Sequence, residues 1–230
     1  MMTISATQAE VEKLYLTSEL NGHRSTCITA CQSGDGVTSI ASAFAERCML
    51  AGHSTLYVDL NLFNPAFHDL ELVNLEQQGQ LIEHKESKRL FVGVPAPREA
   101  SAQLAFKDPT MLKNTVAQWL TQYDRVVIDT SPLLQVNKGN IPAQSVANAC
   151  DSTLLVLAYG ETTTSQLEQA KQLLSTDGIL LSGAIMNMKH APSFPQEIAR
   201  QLNKMKFIPS KLRTSLCNKL SQNEFLNLPI

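Results

Sequence analysis

Several features that would assign this sequence to a special class of protein are missing from it. The longest nearly apolar run, residues 179–186, is far shorter than the roughly 20 residues of a membrane-spanning helix. The first residues have neither a basic stretch nor an apolar one, so we expect no secretory signal peptide. The five cysteines form no CxxC pair, which predicts buried thiols in a reducing cytoplasm and no cysteine metal site. No internal repeat and no low-complexity segment is present.

Charge is scarce and unevenly placed. Asp, Glu, Lys and Arg make up 17% of the 230 residues, and the net charge is −2. Residues 189–230 hold seven basic and two acidic residues, a net charge of +5, which leaves −7 on the residues before them. Two segments of this tail, 196–207 and 211–220, have amphipathic helical patterns. They predict either helices that pack back on the domain or a basic surface for an anionic membrane or an acidic partner.

What the sequence does contain is a regular alternation of short apolar runs and helical patterns. The predicted strands are 26–30, 55–59, 90–94, 125–129, 153–158 and 179–187, and the predicted helices are 9–20, 37–51, 108–122, 142–149 and 165–176. This order predicts an α/β fold with a doubly wound, mostly parallel sheet and helices on both faces. We expect one domain over residues 1–230, which includes the N-terminal helix 9–20 and the basic helical tail 189–230. Sheets of this kind bind ligands at the carboxyl ends of their strands.

The first predicted strand ends in a glycine-containing turn that opens directly into a helix. The turn and the start of the helix read Ser33, Gly34, Asp35, Gly36, Val37, Thr38 and Ser39. Glycines allow a tight wrap, and backbone N–H groups at a helix N-terminus point at an anion, so these residues are the candidate phosphate-binding loop. In the usual loop a lysine follows the second glycine and precedes a Ser or Thr that holds Mg²⁺. Here Thr38 is in place and Val37 stands at the lysine position.

Two carboxylates end two further strands. Asp59 follows the second strand, where it could order a water bound to Mg²⁺, accept a proton, or simply cap the next turn. Asp129 ends a buried apolar run, the position of the acid that orients Mg²⁺ in P-loop proteins. Asp59 and Asp129 are therefore the candidate catalytic residues, and together with Thr38 they are the candidate Mg²⁺ ligands.

In this order and spacing the three motifs resemble the cytoplasmic domains of bacterial tyrosine autokinases and their chain-length partners in polysaccharide export. That family is a branch of the Min/Par-type P-loop NTPases. Its loop, roughly Pro-Gly-Glu-Gly-Lys-Ser/Thr, aligns with residues 33–38, its Asp-x-Asp-Leu-x-x-Pro motif with 59–65, and its Tyr-Asp-x-Val-Ile-Ile-Asp motif with 123–129. The resemblance extends from about residue 10 to Asn187. It implies ATP or ADP with Mg²⁺ as cofactor, and it implies that Asn187 faces the adenine ring.

Two charged positions of the family are neutral in this chain. Val37 replaces the lysine that bridges the terminal phosphates, and Asn61 replaces the second acid of the Asp-x-Asp motif. Loss of one charge-assisted hydrogen bond costs about 1.5–3 kcal/mol, which lowers nucleotide affinity roughly ten- to a hundredfold. Phosphoryl transfer should suffer more, because the same charge stabilises the transition state.

Two assembly features of the family are also altered. Its phosphoacceptor cluster of tyrosines in the C-terminal tail is missing, since all four tyrosines precede residue 160. Its N-terminal oligomerisation motif has Lys13 and Leu16 at the two arginine positions. We therefore expect no tail autophosphorylation and no ring assembly by the family's contacts, while a homo-oligomer built in another way remains an alternative.

These departures predict a catalytically degenerate regulator in exopolysaccharide or capsule biosynthesis and export, without robust kinase or ATPase activity. It would bind a membrane-embedded co-polymerase from the cytoplasm, at the inner membrane, and we expect no nucleic-acid partner. One alternative is a slow ATPase or tyrosine kinase that uses a basic residue from elsewhere, such as Arg24, Lys138 or a lysine of another subunit. A second is a positioning ATPase of the Min/Par type, although that class needs a lysine near the start of the loop and residues 31–33 contain none.

Overall fold

The computed structural model describes residues 4–62, 64–66, 80–83, 90–135, 139–189 and 194–204, and the single positions 214, 216 and 219. The chain divides into two compact units, residues 1–187 and 188–230, and each is described by itself. Within the described residues, no helix has both the length and the apolar character needed to cross a membrane.

One seven-stranded sheet forms the centre of the first unit. Its strands are β1 (Ser25–Ala30), β2 (Thr55–Leu60), β3 (Gln80–Glu83), β4 (Leu90–Val94), β5 (Arg125–Thr130), β6 (Ser152–Ala158) and β7 (Leu181–Asn187). They are arranged in the order β3-β4-β2-β5-β1-β6-β7. All neighbouring strands are parallel except β3 and β4, which pair antiparallel. The doubly wound, mostly parallel sheet predicted from the sequence is confirmed.

Six helices are seen among the described residues of the same unit. They are α1 (Ala9–Leu20), α2 (Val37–Leu50), α3 (Ala100–Lys107), α4 (Pro109–Trp119), α5 (Ala143–Ala149) and α6 (Thr164–Leu174). All five predicted helices are present, with ends that move by at most three residues. The start of α4 could be predicted because capping residues mark it. The carboxylate of Asp108 accepts hydrogen bonds from the N–H groups of Thr110 and Met111, and Pro109 occupies the first helical position.

Two elements were not predicted, and both lack the pattern on which prediction depends. No side chain of helix α3 is fully buried, and of its residues only Phe106 packs, partly buried, against the core, so its eight residues carry too weak an apolar face to reveal a helical period. Strand β3 has only four residues, too few to establish an alternation of apolar and polar positions.

Apolar clusters cover both faces of the sheet, because successive strand residues point to opposite sides. One cluster joins α4, α5 and α6 to the strands, with Leu112, Trp119, Val146 and Leu174 among its helix residues. The other joins α2 to the strands, with Val37, Ile40 and Phe44 packed near Ile28, Tyr57 and Val127. The second cluster matters for the site, because Val37 is part of it.

At the amino ends of β2 and β5, a polar network ties α1 to the rest of the unit. The Arg47 guanidinium pairs with Glu12 and stacks 4.0 Å from the centre of the Tyr15 ring. The Tyr15 hydroxyl lies 3.2 Å from Nε2 of His53. Glu19 pairs with Arg125, the first residue of β5. Helix α1, predicted over residues 9–20, is thus held by polar side chains as well as by Val11, which is buried, and Leu14, which packs against the core.

The second unit contains helix α7 (Phe194–Lys204). Within it, the Glu197 carboxylate accepts hydrogen bonds from Arg200 and Gln201, each at 2.8 Å. The first predicted tail helix, 196–207, is therefore observed in part. The second predicted helical segment, 211–220, lies outside the described residues except for three positions.

Candidate phosphate-binding site

The turn between β1 and α2 has the backbone geometry of a phosphate loop. Gly34 and Gly36 have φ values of +94° and +102°, which residues other than glycine rarely adopt. The loop is also held from within, since Oδ2 of Asp35 accepts a hydrogen bond of 3.0 Å from the N–H of Gln32. From outside, the Asn187 carboxamide donates a 2.8 Å hydrogen bond to the carbonyl of Asp35. The loop therefore keeps its shape through its own residues and through the end of β7.

The backbone N–H groups of residues 34–38 form what we call the anion cradle. In the described part of the chain they donate no hydrogen bond. They lead into the N-terminus of α2, a helix of 14 residues, whose dipole adds partial positive charge at the same place. Such a run of free donors at a helix N-terminus is suited to bind a phosphate group.

The side chain at the lysine position is part of the apolar core. Val37 is only 8% exposed and packs in the cluster between α2 and the sheet. Among the described residues, no Lys, Arg or His side chain bonds to residues 32–39 or to Asp129. The cradle thus offers backbone donors but no fixed positive charge from a side chain.

The two basic residues considered as substitutes do not fill this gap. Arg24 lies just before β1, whereas the cradle follows the carboxyl end of that strand. Its guanidinium donates to the carbonyls of Leu120 and Tyr123, at the end of α4. Lys138 lies outside the described residues.

Asp59 acts as a cap for the turn that follows it. Its Oδ1 accepts from the N–H of Asn61 at 2.9 Å, and its Oδ2 accepts from the N–H of Ala66 at 2.7 Å. The side chain of Asn61 continues this turn, since its Oδ1 accepts from the N–H of Asn64 at 3.2 Å. Both Asp59 oxygens are therefore engaged by backbone donors, which matches the capping role that the sequence left open.

Asp129 lies directly opposite Asp59 in the pairing of β5 with β2, and both are fully buried. Its Oδ2 accepts hydrogen bonds from the Thr38 hydroxyl at 2.6 Å and from the Tyr57 hydroxyl at 3.1 Å. Among the described residues, its buried Oδ1 makes no hydrogen bond of ordinary geometry. Burial, and then the negative charge of Asp59, raise the pKa of Asp129 well above its usual range, and the Thr38 and Tyr57 hydroxyls and the nearby Asn61 side chain only partly oppose this.

Two residues of the site were missed in the sequence. Tyr57 lies two positions before Asp59, so both residues are on one face of β2. This spacing was the signal in the sequence that could have placed Tyr57 in the site. Burial raises the pKa of Tyr57 well above its usual range, so it acts as a neutral hydrogen-bond donor. Gln135 follows β5, and its Oε1 accepts from the N–H of Ser33 at 2.9 Å. No local pattern indicated Gln135, because it reaches the loop only through the pairing of distant segments.

The fit of this site to Mg²⁺ and a nucleotide is partial. The Thr38 hydroxyl and the Asp129 carboxyl supply the oxygen donors that Mg²⁺ prefers, and the unpartnered Oδ1 could serve as one of them. Both Asp59 oxygens are already in use. Among the described residues, no group of three or more His, Cys, Asp or Glu could hold a metal ion by itself. The residues fit an ion shared with a phosphate group, whereas Val37 leaves no side-chain charge for phosphoryl transfer.

Relatives of the chain are bacterial tyrosine kinases. The tyrosine-protein kinase YwqD of Bacillus subtilis is 29% identical over 180 residues, which cover 72% of this chain and 73% of YwqD. The putative tyrosine-protein kinase CapB of Staphylococcus aureus is 27% identical over 180 residues, covering 73% of this chain and 76% of CapB. No family model matches the chain. The resemblance inferred from the three motifs is confirmed by these relatives.

Solved structures share the fold. The VpsO kinase domain superposes with a TM-score of 0.59 at 24% identity, over 79% of this chain and 92% of that domain. The septum site-determining protein MinD of Pyrococcus horikoshii, solved in complex with Mg-ADP, has a TM-score of 0.54 at 16% identity, over 84% of this chain and 76% of MinD. The chain therefore has the α/β fold of the Min/Par-type P-loop NTPases.

Proposed function

We propose that this chain is a catalytically degenerate regulator in bacterial exopolysaccharide or capsule biosynthesis and export. It acts by binding a membrane-embedded co-polymerase, and it does not transfer phosphate at a useful rate. The observation that carries this proposal is Val37, whose buried side chain takes the position where phosphoryl transfer needs a cation. The tyrosine kinases among its relatives support the pathway.

Weak binding of ATP or ADP with Mg²⁺ is part of the same proposal. The donors of the anion cradle have no partner in the part of the chain that the structure describes, and Thr38 and Asp129 lie in hydrogen-bond contact beside it. The missing lysine should leave affinity roughly ten- to a hundredfold below that of an intact loop, because one charge-assisted contact is lost. A nucleotide held in this way would act as a structural ligand that sets the shape of the loop.

The partner surface that we propose for the membrane side is the basic tail. Residues 189–230 have a net charge of +5, and Arg200 and Lys204 are exposed on α7. Basic residues next to an anionic leaflet are attracted to it, which supports peripheral association at the cytoplasmic face of the inner membrane. Binding to the co-polymerase would then occur close to the membrane.

A slow ATPase or tyrosine kinase is the second candidate, and the free cradle favours it. A lysine or arginine from another subunit could supply the missing charge, as a residue provided in trans does in other phosphoryl-transfer proteins. This candidate requires that activity appear only in an assembly.

Both candidates are tested by measuring ATP hydrolysis and tyrosine phosphorylation with the purified chain, alone and with the co-polymerase. We expect that any phosphate turnover by the wild-type chain will be the same in Asp129→Ala, and so will not come from this site. We also expect the chain to bind the co-polymerase whether or not Asp129 is replaced. Val37→Lys should raise ATP affinity roughly ten- to a hundredfold, while Val37→Met, a matched uncharged control, should not. Turnover by the wild-type chain that equals that of Val37→Lys and disappears in Asp129→Ala would favour the enzyme.

A further inference from the structure

Asn187 makes a close contact with the phosphate loop from the end of β7. Its Nδ2 donates a 2.8 Å hydrogen bond to the carbonyl of Asp35. A Cβ atom added to Gly36 would lie only 2.2 Å from the same Nδ2, so the carboxamide packs directly against the glycine. The backbone of Asn187 is fixed as well, because its carbonyl accepts a 3.0 Å hydrogen bond from the N–H of Tyr159.

The peptide that Asn187 contacts is the centre of the loop. Asp35 is held on one side by its own carboxylate, which accepts from the N–H of Gln32, and on the other side by Asn187. The next residues, Gly36 and Val37, provide N–H groups of the anion cradle and begin α2. The direction of those donors therefore depends on the orientation of the Asp35 peptide.

We propose that Asn187 is a positioning residue of the phosphate loop, whose hydrogen bond to the Asp35 peptide directs the donors of the anion cradle. This inference rests on the proposed binding of a phosphate ligand at the cradle. One neutral hydrogen bond accounts for roughly a two- to tenfold change in an equilibrium constant, so loss of the Asn187 carboxamide should weaken phosphate binding by a factor in that range.

A matched control for this contact exists elsewhere in the chain. Asn148, at the end of α5, donates from Nδ2 to the carbonyl of Asp177 at 3.2 Å. A Cβ added to Gly178 would lie 2.5 Å from that Nδ2. This repeats the arrangement of Asn187 with Asp35 and Gly36, but before the amino end of β7, away from the cradle.

The first test needs no ligand. Amide hydrogen exchange, resolved by NMR, is measured at Gln32 and Ile40, whose N–H groups are bonded within the loop and at its junction with α2. Asn187→Ala should raise both exchange rates roughly two- to tenfold, whereas Asn148→Ala should leave them unchanged. Equal rates in wild type and Asn187→Ala would overturn the positioning role.

The second test is calorimetric titration with ATP, GTP and tripolyphosphate in the presence of Mg²⁺. We expect Asn187→Ala to weaken all three ligands by a similar factor of roughly two to ten, because the cradle would bind the phosphate groups that they share. Unchanged tripolyphosphate binding in Asn187→Ala, with ATP binding weakened, would overturn the positioning role and show that Asn187 acts on the base. If none of the three ligands binds, recognition of phosphate by the cradle is wrong, and the exchange rates still decide the positioning role.

Discussion

Replacement of Asp129 by asparagine should change how the stability of the protein depends on pH. The folded-state pKa of Asp129 is raised well above its usual range by burial and by the facing Asp59 charge, so the folded protein holds a proton that the unfolded chain releases. The sign follows from linkage: when the folded state binds more protons, the free energy of unfolding falls as pH rises. The free energy of unfolding begins to fall near pH 4, the ordinary pKa of aspartate, and continues to fall up to the folded-state pKa of Asp129.

The size of the effect is set by one proton. Each pH unit in this window should lower the free energy of unfolding by at most the linkage of one proton, about 1 kcal/mol. The amide of Asp129→Asn does not titrate, so this contribution should vanish. Its Oδ1 can still accept from Thr38 and Tyr57, which preserves the contacts made by Oδ2 in the wild-type chain.

The assay is urea unfolding at half-unit steps from pH 5 to pH 8, for the wild-type chain and for Asp129→Asn. The measured quantity is the difference between the two proteins in the slope of the free energy of unfolding against pH. Any cost of burying the amide in Asp129→Asn is the same at every pH, so it does not affect this slope. Asp124→Asn is a control that should leave the slope unchanged in this range: hydrogen bonds from Ser54 hold the pKa of Asp124 below its usual range, so its contribution disappears only as pH falls below about 4. Parallel curves for wild type and Asp129→Asn across the whole range would refute the reasoning.

Two further predictions concern contacts that hold the site and the N-terminal helix. Gln135→Ala should lower the free energy of unfolding in urea by about 0.5–1.5 kcal/mol, because the N–H of Ser33 loses its acceptor; Gln135→Glu keeps an acceptor, so an equal loss in both variants would contradict the assignment. Arg47→Ala should cost about 0.5–1 kcal/mol in the same measurement, the range of a partly exposed cation–π contact, since it removes the stacking on Tyr15 together with a partly exposed ion pair. Lys171→Ala, which removes an exposed pair within α6, should change stability by less than about 0.5 kcal/mol, and a comparable loss there would mean that the Arg47 effect is not specific.

Much of the fold could be predicted because local signals mark its elements. Helix α1 and strand β4 were predicted with their observed ends, and Asp108 with Pro109 placed the start of α4 to within one residue. The candidate loop and the acids at the ends of β2 and β5 were found in the same way, since each stands at the boundary of an apolar run.

The contacts that shape the site could not be predicted, because they join distant parts of the chain. Gln135 and Ser33 are 102 residues apart, and Asn187 and Asp35 are 152 residues apart. Neither pair leaves a trace in any local pattern. The role expected for Asn187, facing the adenine ring, came from the family resemblance alone and stays a prediction, whereas its hydrogen bond to the loop is visible only in the structure.

The missing loop lysine bears on the raised pKa of Asp129, although burial is the larger cause of that shift. Among the described residues, the charge of Asp59 raises the pKa of Asp129, and no cation is among the groups that lower it. A protonated Asp129 must lose its proton before it can bind Mg²⁺ as a carboxylate, so the missing charge would weaken the proposed nucleotide binding twice, once at the phosphates and once at the metal ligand. Val37→Lys should therefore tighten ATP binding and also reduce the fall in stability between pH 5 and pH 7, whereas Val37→Met should do neither. A tighter ATP complex with an unchanged pH slope would show that the lysine acts on the phosphates alone and that burial by itself keeps Asp129 protonated.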